Sequence, residues 1–420
     1  MVNKLIPKSN KSHPLGLMIK TLIMFGTVFS IHPKWRLPSV FTLRIIIMLL
    51  CIFYVLFKGI QERKTFSINL KLKNFSFAGV SLFVFLYSFM LVKLNKVTSE
   101  FTMTSSAFNY FIFIGIFAYF AKVIFNSSKE FCGCVLNAAF IQAVIVLLGL
   151  LIPQVRTFLD QMQSFGNENS MFQDYRYTWR IIGLGIAGAG GSVYLFTGMI
   201  AAGWLKITGN LSKFQLIQMS LLSIAILLVG RTGFYTSLSL WGYLIYDDIR
   251  YKKGSLKTLG LLLFLLLLFI LILVIFNNLE GVNDDLISYT LVRSAELFFG
   301  GTKVISQIID IPPLRMETII GTGITRGSIS SSIYIWSDSG YIQRYAGIGL
   351  IMATISYFSY VFEVIRYAKN LSRSNFNFFI FILLLLLIIE IKEPFFYQLA
   401  YPFVLLVLVR LVTNEKCTSC

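Results

Sequence analysis

Apolar runs of about 15 to 25 residues recur along nearly the whole chain and are separated by short polar connectors. About 20 apolar residues in a helix cross about 30 Å of hydrocarbon. The pattern therefore predicts an all-α, polytopic membrane helix bundle, with residues 1–420 forming one integral membrane domain. The twelve predicted spans are about 15–31, 41–58, 76–92, 103–125, 133–152, 181–205, 214–229, 232–246, 258–276, 342–365, 377–391 and 396–412.

The last two predicted spans are interrupted by the charged segment Glu390-Ile391-Lys392-Glu393-Pro394. Proline ends or kinks a helix, so two separate helices and a single kinked hairpin both remain open for this region.

Two polar stretches break the pattern, at about 153–180 and 277–341. A bundle of spans needs only short connectors, and loops this long are usually functional or disordered. The second stretch ends in Trp336-Ser337-Asp338-Ser339-Gly340-Tyr341, directly against the next apolar run. This favours an ordered element at the membrane surface.

Composition agrees with a membrane protein and gives the bundle an orientation. Hydrophobic residues make up 56% of the chain and charged residues 13%, far from the balance of a soluble domain. With both termini cytoplasmic, about 21 lysines and arginines fall inside and about 6 in the short outside connectors, as the positive-inside rule requires. Both long loops then lie outside. The net charge of +18 reflects topology and affinity for anionic membrane lipid, and no nucleic-acid partner is expected.

Arginines at the outer mouth of the bundle are the first candidates for chemistry. Arg231 lies in Gly230-Arg231-Thr232-Gly233, between two apolar stretches. A guanidinium is a rigid fork suited to phosphate oxygens, although an arginine that only snorkels to the headgroups would also end a helix here. Arg180 precedes a glycine-rich run to Gly191; tight helix packing explains those glycines but not the arginine.

The end of the second loop offers a carboxylate among hydroxyls and glycines. Asp338 is a candidate general base for a sugar hydroxyl, and the alternative is that it only caps the following helix. Glu317 and Glu393 are the other candidate bases. The predicted binding residues near this segment and beyond it are Arg326, Tyr341, Arg344 and Lys392. For residues 390–394, an ion pair or a solvated connector is the alternative to a binding role.

Taken together, Arg180, Arg231, Arg326 and Lys392 are expected to converge outside the membrane with carboxylates nearby. Such an arrangement suits a polyprenyl-pyrophosphate leaving group, because cations stabilise the charge that develops on it. No cofactor or metal ion is expected. His13 and His32 are the only histidines, and the Cys417-x-x-Cys420 pair is a weak signal by itself.

At these residues the chain resembles the Wzy-type O-antigen or capsular repeat-unit polymerases. The resemblance is carried by Gly230-Arg231-Thr232-Gly233, by Ser337 to Tyr341 with Gly347-Ile348-Gly349-Leu350 behind it, and by Ile391-Lys392-Glu393-Pro394. Arg180 with Gly191 also fits an arginine, ten-residue gap, glycine pattern of that family. A second copy departs from it, since Arg326 is followed at that spacing by Ser337.

The resemblance implies an inner-membrane enzyme with a GT-C-like fold and two long periplasmic loops. Its substrates would be undecaprenyl-pyrophosphate-linked glycans, joined by an inverting, metal-independent glycosyl transfer, alongside a flippase and a chain-length regulator. Two other functions stay open: an O-antigen ligase, which typically uses a histidine in its large outer loop, and a lipid-linked oligosaccharide flippase or other transporter.

Overall fold

A computed structural model provides the structure of the protein. It describes residues 14–29, 46–47, 49–50, 53, 72–97, 103–118, 121, 124–152, 154–155, 158–159, 188–251, 311–325, 327–330, 333–335, 337–398 and 400–419.

Among the described residues, the regular secondary structure is helical apart from one short hairpin. The strands β1 (Gly327–Ser330) and β2 (Ile333–Ile335) of that hairpin pair antiparallel. The helices are α1 (Pro14–Val28), α2 (Leu72–Leu94), α3 (Met103–Tyr110) with a π-helical continuation (Phe111–Phe117), α4 (Ser128–Leu151), α5 (Gly188–Ile207), α6 (Lys213–Val229), α7 (Arg231–Tyr251), α8 (Met316–Ile320), α9 (Gly340–Ala368), α10 (Arg373–Glu390), α11 (Phe395–Gln398) and α12 (Ala400–Ser419).

The hydrophobic pattern located these helices well. Each predicted span within the described residues coincides with a helix, whereas the span at 258–276 and most of that at 41–58 lie outside them. Four described helices are long and apolar enough to cross a membrane by themselves: Phe77–Leu94, Ser128–Gly149, Gly340–Ala368 and Arg373–Glu390. The chain is thus a helical protein with helices suited to a membrane.

The surface of α9 shows the same adaptation. Ile351, Ile355, Phe358, Phe362 and Ile365 recur at helical spacing, and between 37% and 68% of each residue's surface is exposed. A continuous stripe of large apolar side chains would be unfavourable in water, and it suits contact with lipid. The interior lies around α5, which packs against α4, α6, α7 and α12.

The last two predicted spans are separate helices. The hydroxyl of Tyr401 on α12 donates to the carbonyl oxygen of Ile382 on α10 at 2.7 Å, so the two helices pack side by side. The chain turns between them at residues 391–394 and through the short α11. The interruption at Pro394 is therefore a reversal of the chain, with both arms helical.

The span predicted at 342–365 is longer than expected and is not one straight helix. Gly349 breaks α9 with φ 79° and ψ 161°, a backbone region that is essentially restricted to glycine. The break allows the end of the second loop to pack against α9. The N–H groups of Thr322 and Gly323 in that loop donate to the carbonyls of Ala346 and Gly347 at 2.9 and 2.8 Å. A Cβ atom on Gly321 would lie 2.5 Å from the Gly349 nitrogen. The backbone of the second loop thus packs directly on the break.

That second loop is also anchored to α2. The hydroxyl of Tyr87 donates to the carbonyl of Ile320 at 2.7 Å, and the amide of Asn95 donates to that of Thr322 at 3.0 Å. The described part of the 277–341 stretch is therefore ordered and lies at one end of the bundle.

Candidate functional site

Three helix ends meet at the same end of the bundle as this segment. α7 begins there, α9 begins there and α10 ends there. The ammonium group of Lys392, just after α10, donates to the hydroxyl of Thr232 in the first turn of α7 at 3.2 Å. The structure thus joins two segments that were predicted to converge, Gly230–Gly233 and 390–394.

The start of α5 joins the same point. The N–H of Gly233 donates to the hydroxyl of Ser192 at 3.0 Å, and a Cβ atom at Gly233 would lie 2.5 Å from the Ser192 carbonyl oxygen. Only glycine permits this approach of the two backbones. Gly233 therefore allows the backbones of α5 and α7 to pack closely against each other.

Arg344 is the most unusual side chain of this region. It lies in the second turn of α9 and is only 1% exposed. The guanidinium carbon lies 3.1, 4.7 and 4.8 Å from the ring centroids of Tyr397, Phe396 and Tyr357. Cations are attracted to aromatic faces most strongly where water is excluded, so the rings account for part of the stabilisation of this buried charge.

Glu390, the last residue of α10, supplies the opposite charge. Its Oε1 atom lies 3.5 Å from Nη2 of Arg344, and both side chains are 1% exposed. The carboxylate also accepts hydrogen bonds from the Tyr357 hydroxyl at 2.6 Å and from the Phe396 N–H at 2.7 Å. Gly340 leaves the room for it, because a Cβ atom at residue 340 would collide with the Glu390 carboxylate.

The ion pair leaves hydrogen-bonding capacity unused. Among the described residues, the Nε, Nη1 and Nη2 atoms of Arg344 have no hydrogen-bond partner, and neither has the buried hydroxyl of Tyr110. Tyr110 packs against the same cluster, with its ring centroid 4.9 Å from that of Tyr397. Buried polar groups are normally satisfied, so these donors mark a place where an acceptor beyond the described residues would be stabilised.

Tyr341 and Asp338 occupy different positions at this site. The hydroxyl of Tyr341 donates to the carbonyl of Leu387 on α10 at 2.8 Å, which directs the side chain into the bundle. Asp338 is exposed, and Ser339 occupies the N-cap position of α9. The N-cap position thus falls one residue after Asp338, which the capping alternative had named. Its carbonyl, with that of Ser337, receives the side-chain amide of Gln343.

The remaining predicted site residues are spread around this centre. Glu317 is exposed on α8, and Glu393 is partly exposed in the turn after α10. Arg180, Arg326 and the side chain of Arg231 lie outside the described part of the chain, as do most of 153–180 and all of 277–310. The structure describes only the backbone of Arg231, which begins α7.

Sequence reasoning missed the partnership of Arg344 with Glu390. Of the two interpretations for residues 390–394, the ion pair is confirmed for Glu390, but its partner is 46 positions away on another helix. The available signal was a lone carboxylate closing an 18-residue apolar helix, since isolated charges at membrane depth are costly and usually paired. The aromatic residues around the pair carry no comparable signal in the sequence.

No group of three or more His, Cys, Asp or Glu residues that could hold a metal ion occurs within the described residues. Comparison with protein-family models, with curated proteins and with solved structures finds no match for the chain.

Proposed function

We propose that the protein is a membrane glycosyltransferase that polymerises undecaprenyl-pyrophosphate-linked oligosaccharide repeat units of O antigen or capsule. The growing glycan leaves its lipid carrier and is joined to the next lipid-linked unit, on the periplasmic face of the bacterial inner membrane. The observation that carries this proposal is the buried guanidinium of Arg344, whose N–H groups have no acceptor among the described residues. It lies where the second loop, Lys392 and the start of α7 meet.

Pyrophosphate is the ligand that we propose for this centre. A guanidinium presents five N–H donors in a planar fork that matches phosphate oxygens. Lys392 adds a second positive charge at the same end of the bundle, and Arg180, Arg231 and Arg326 would complete the set. As the glycosidic bond to the carrier breaks, negative charge develops on the pyrophosphate, and fixed cations in a water-poor site stabilise it.

The acceptor sugar needs a base. Asp338 is exposed just ahead of α9, so its carboxylate can reach a sugar hydroxyl held at the surface of the bundle and accept its proton. Attack from the face opposite the leaving pyrophosphate inverts the anomeric centre, and the cations replace a metal ion. Glu393 and Glu317 are the alternative bases. A flippase would deliver the lipid-linked units, and a chain-length regulator would set the length of the polymer.

The proposal is tested by elongation of purified lipid-linked repeat units in proteoliposomes. Removing Arg344 alone leaves the Glu390 charge buried and unpaired, which is strongly destabilising. The informative variant is therefore the double change Arg344→Met with Glu390→Gln, which removes both charges together. We expect thermal melting to show that this double variant is folded. We also expect it to produce no elongated glycan. Lys369→Gln, an exposed lysine just after the opposite end of α9, is the control and should elongate normally.

A folded double variant that elongates at the wild-type rate would exclude Arg344 from pyrophosphate binding. The same assay distinguishes glycosyl transfer from a second candidate function, the transport of lipid-linked units. A second buried ion pair, in which Arg410 donates to Glu363 at 2.7 Å, favours that candidate, because transporters place charges inside the bundle. Translocation of lipid-linked units across the bilayer without elongation would make the protein a transporter.

A further inference from the structure

The end of the bundle opposite Arg344 contains a cavity of 510 Å³. It lies where α4 and α10 begin and where α5 and α12 end. α10 runs from this cavity to Glu390, and its 18 residues correspond to about 27 Å of helix. The cavity is therefore a separate place in the molecule, and nothing in the proposed glycosyl transfer uses it.

The cavity lining is apolar on one part and cationic on another. Lys129 and Lys416 contribute two ammonium groups, and Glu415 contributes one carboxylate, so the lining carries a net charge of +1. Serine, threonine and asparagine side chains supply hydrogen-bonding groups. The apolar part of the lining consists of Trp204, Leu205, Leu371 and Val412. A mixed lining of this size is typical of a small-molecule site.

The one carboxylate of the lining is already engaged. Glu415 accepts hydrogen bonds from the backbone N–H and from the hydroxyl of Ser128, in the first turn of α4. The partial positive charge of a helix N-terminus stabilises an anion in that position. The repulsion that Glu415 would exert on a second anion is reduced accordingly. Lys129 and Lys416 are both exposed, and the ammonium group of Lys416 also donates to the carbonyl oxygen of Asn370 at 2.6 Å, which holds it beside the start of α10.

The N-terminus of α10 supports the same conclusion. Its N-cap residue, Ser372, lines the cavity and makes no side-chain capping hydrogen bond, in contrast to Ser127 at the start of α4. The Ser372 side chain therefore leaves the first-turn N–H groups of α10 without its own capping bond, and the Ser374 hydroxyl of the same turn donates to Asp247 on α7 at 3.0 Å. Asn375, one turn further along, also faces the cavity. Lysines, an amide and a helix N-terminus are the groups that bind phosphate in proteins.

We propose that this cavity binds the phosphate group of an anionic phospholipid headgroup, such as that of phosphatidylglycerol. The phosphate lies between Lys129, Lys416 and the start of α10, and the apolar lining contacts the lipid below its headgroup. Headgroups of one leaflet lie at this level of a bundle whose helices cross the bilayer. A free phosphate ion offers the same charged group and no apolar part, so the two sources are separable by experiment.

The test measures the thermal stability of the purified full chain in nanodiscs of phosphatidylcholine with and without 20 mol% phosphatidylglycerol. Native mass spectrometry identifies the lipid that the protein retains. Ligands that bind only the folded state raise its stability, so we expect a higher melting temperature with phosphatidylglycerol and at least one retained phosphatidylglycerol molecule. Both effects should be lost in Lys129→Gln with Lys416→Gln, and also in Asn375→Trp, which fills the cavity without removing charge. The matched control is Lys213→Gln, an exposed lysine at the start of α6 that does not line the cavity.

Three results would overturn the proposal. The first is a melting temperature that does not respond to phosphatidylglycerol. The second is an equal loss of the phosphatidylglycerol effect in Lys213→Gln, which would show that the effect arises from general surface charge. The third is full replacement of the lipid effect by inorganic phosphate at the same ionic strength, which would make the ligand a free anion. Glycan elongation is measured in the same nanodiscs, so a failure of the glycosyl-transfer proposal would be recognised separately.

Discussion

Lys392 donates a hydrogen bond to Thr232 across 160 positions of sequence, with 3.2 Å between Nζ and Oγ1. The contact ties the turn after α10 to the first turn of α7. It holds the lysine ammonium next to the backbone of Arg231, at the end of the bundle that contains Arg344. Two charged segments that are far apart in the chain are thereby fixed as parts of one surface.

Removing the charge of Lys392 should slow glycan elongation more than removing its hydrogen bond. We expect Lys392→Gln to lower the elongation rate at least about 10-fold, equivalent to about 1.4 kcal/mol of transition-state stabilisation. Thr232→Val, which retains the charge, should have a smaller effect. Rates are measured with lipid-linked repeat units, with Lys369→Gln after α9 as an exposed control. Equal elongation rates for Lys392→Gln and the wild type would show that Lys392 does not contribute to the site.

Asp338→Asn should separate catalysis from folding. Because the N-cap residue of α9 is Ser339, the change does not alter the cap residue, and the melting temperature of the variant is measured beside its elongation rate so that lost activity in a folded protein is recognised. Elongation should fall by about 100-fold or more, the usual contribution of a general base. If the folded variant still elongates the glycan, Glu393 or Glu317 would be the base instead of Asp338. The corresponding glutamine variants would then identify which of the two it is.

Gly340→Ala should destabilise the protein, because the added methyl group and the Glu390 carboxylate cannot both be accommodated. The displaced carboxylate would lose its contacts with Tyr357 and Arg344, so elongation should fall as well. Gly242→Ala is the control, since a Cβ atom there meets nothing within 4 Å in the middle of α7. By helix propensity that change should be neutral or stabilising by up to about 1 kcal/mol. Similar melting temperatures for the two variants would contradict the described packing at Gly340.

Gly349→Ala should loosen the second loop from α9. The residue adopts φ 79° and ψ 161°, and its Cβ atom would collide with the carbonyl oxygens of Ile319 and Ile320. We expect faster proteolysis within 311–325 and a lower melting temperature. Gly347→Ala is the milder comparison, because the atoms nearest to its Cβ atom would be those of the Met103 side chain, at 3.3 Å or more. Equal protease resistance in both variants would show that the break is not needed for docking.

The hydrophobic pattern predicted the helices because apolar runs of span length have few other structures available in a membrane. It did not predict the break at Gly349, which results from contact with a backbone segment about 27 positions earlier. The convergence of Lys392 with the start of α7 was predicted, since successive spans alternate in direction and place both segments at the same end. The pairing of Arg344 with Glu390 depends on how α9 and α10 are rotated about their axes, which the sequence of either helix does not determine.

The break at Gly349 also sets the depth of Arg344 relative to a bilayer. The part of α9 after the break, residues 350–368, corresponds to about 28 Å of helix, close to the full hydrocarbon thickness by itself. With that part of the helix spanning the hydrocarbon, the turns that carry Arg344 would begin where the acyl chains end. A thicker membrane would bring this end of α9 closer to hydrocarbon, while a thinner one would bring it closer to the headgroups. Arg344 and Glu390 are each 1% exposed, so hydrophobic mismatch would reach the pair through the protein around it, and the acyl-chain length of the host membrane becomes a variable for its electrostatics.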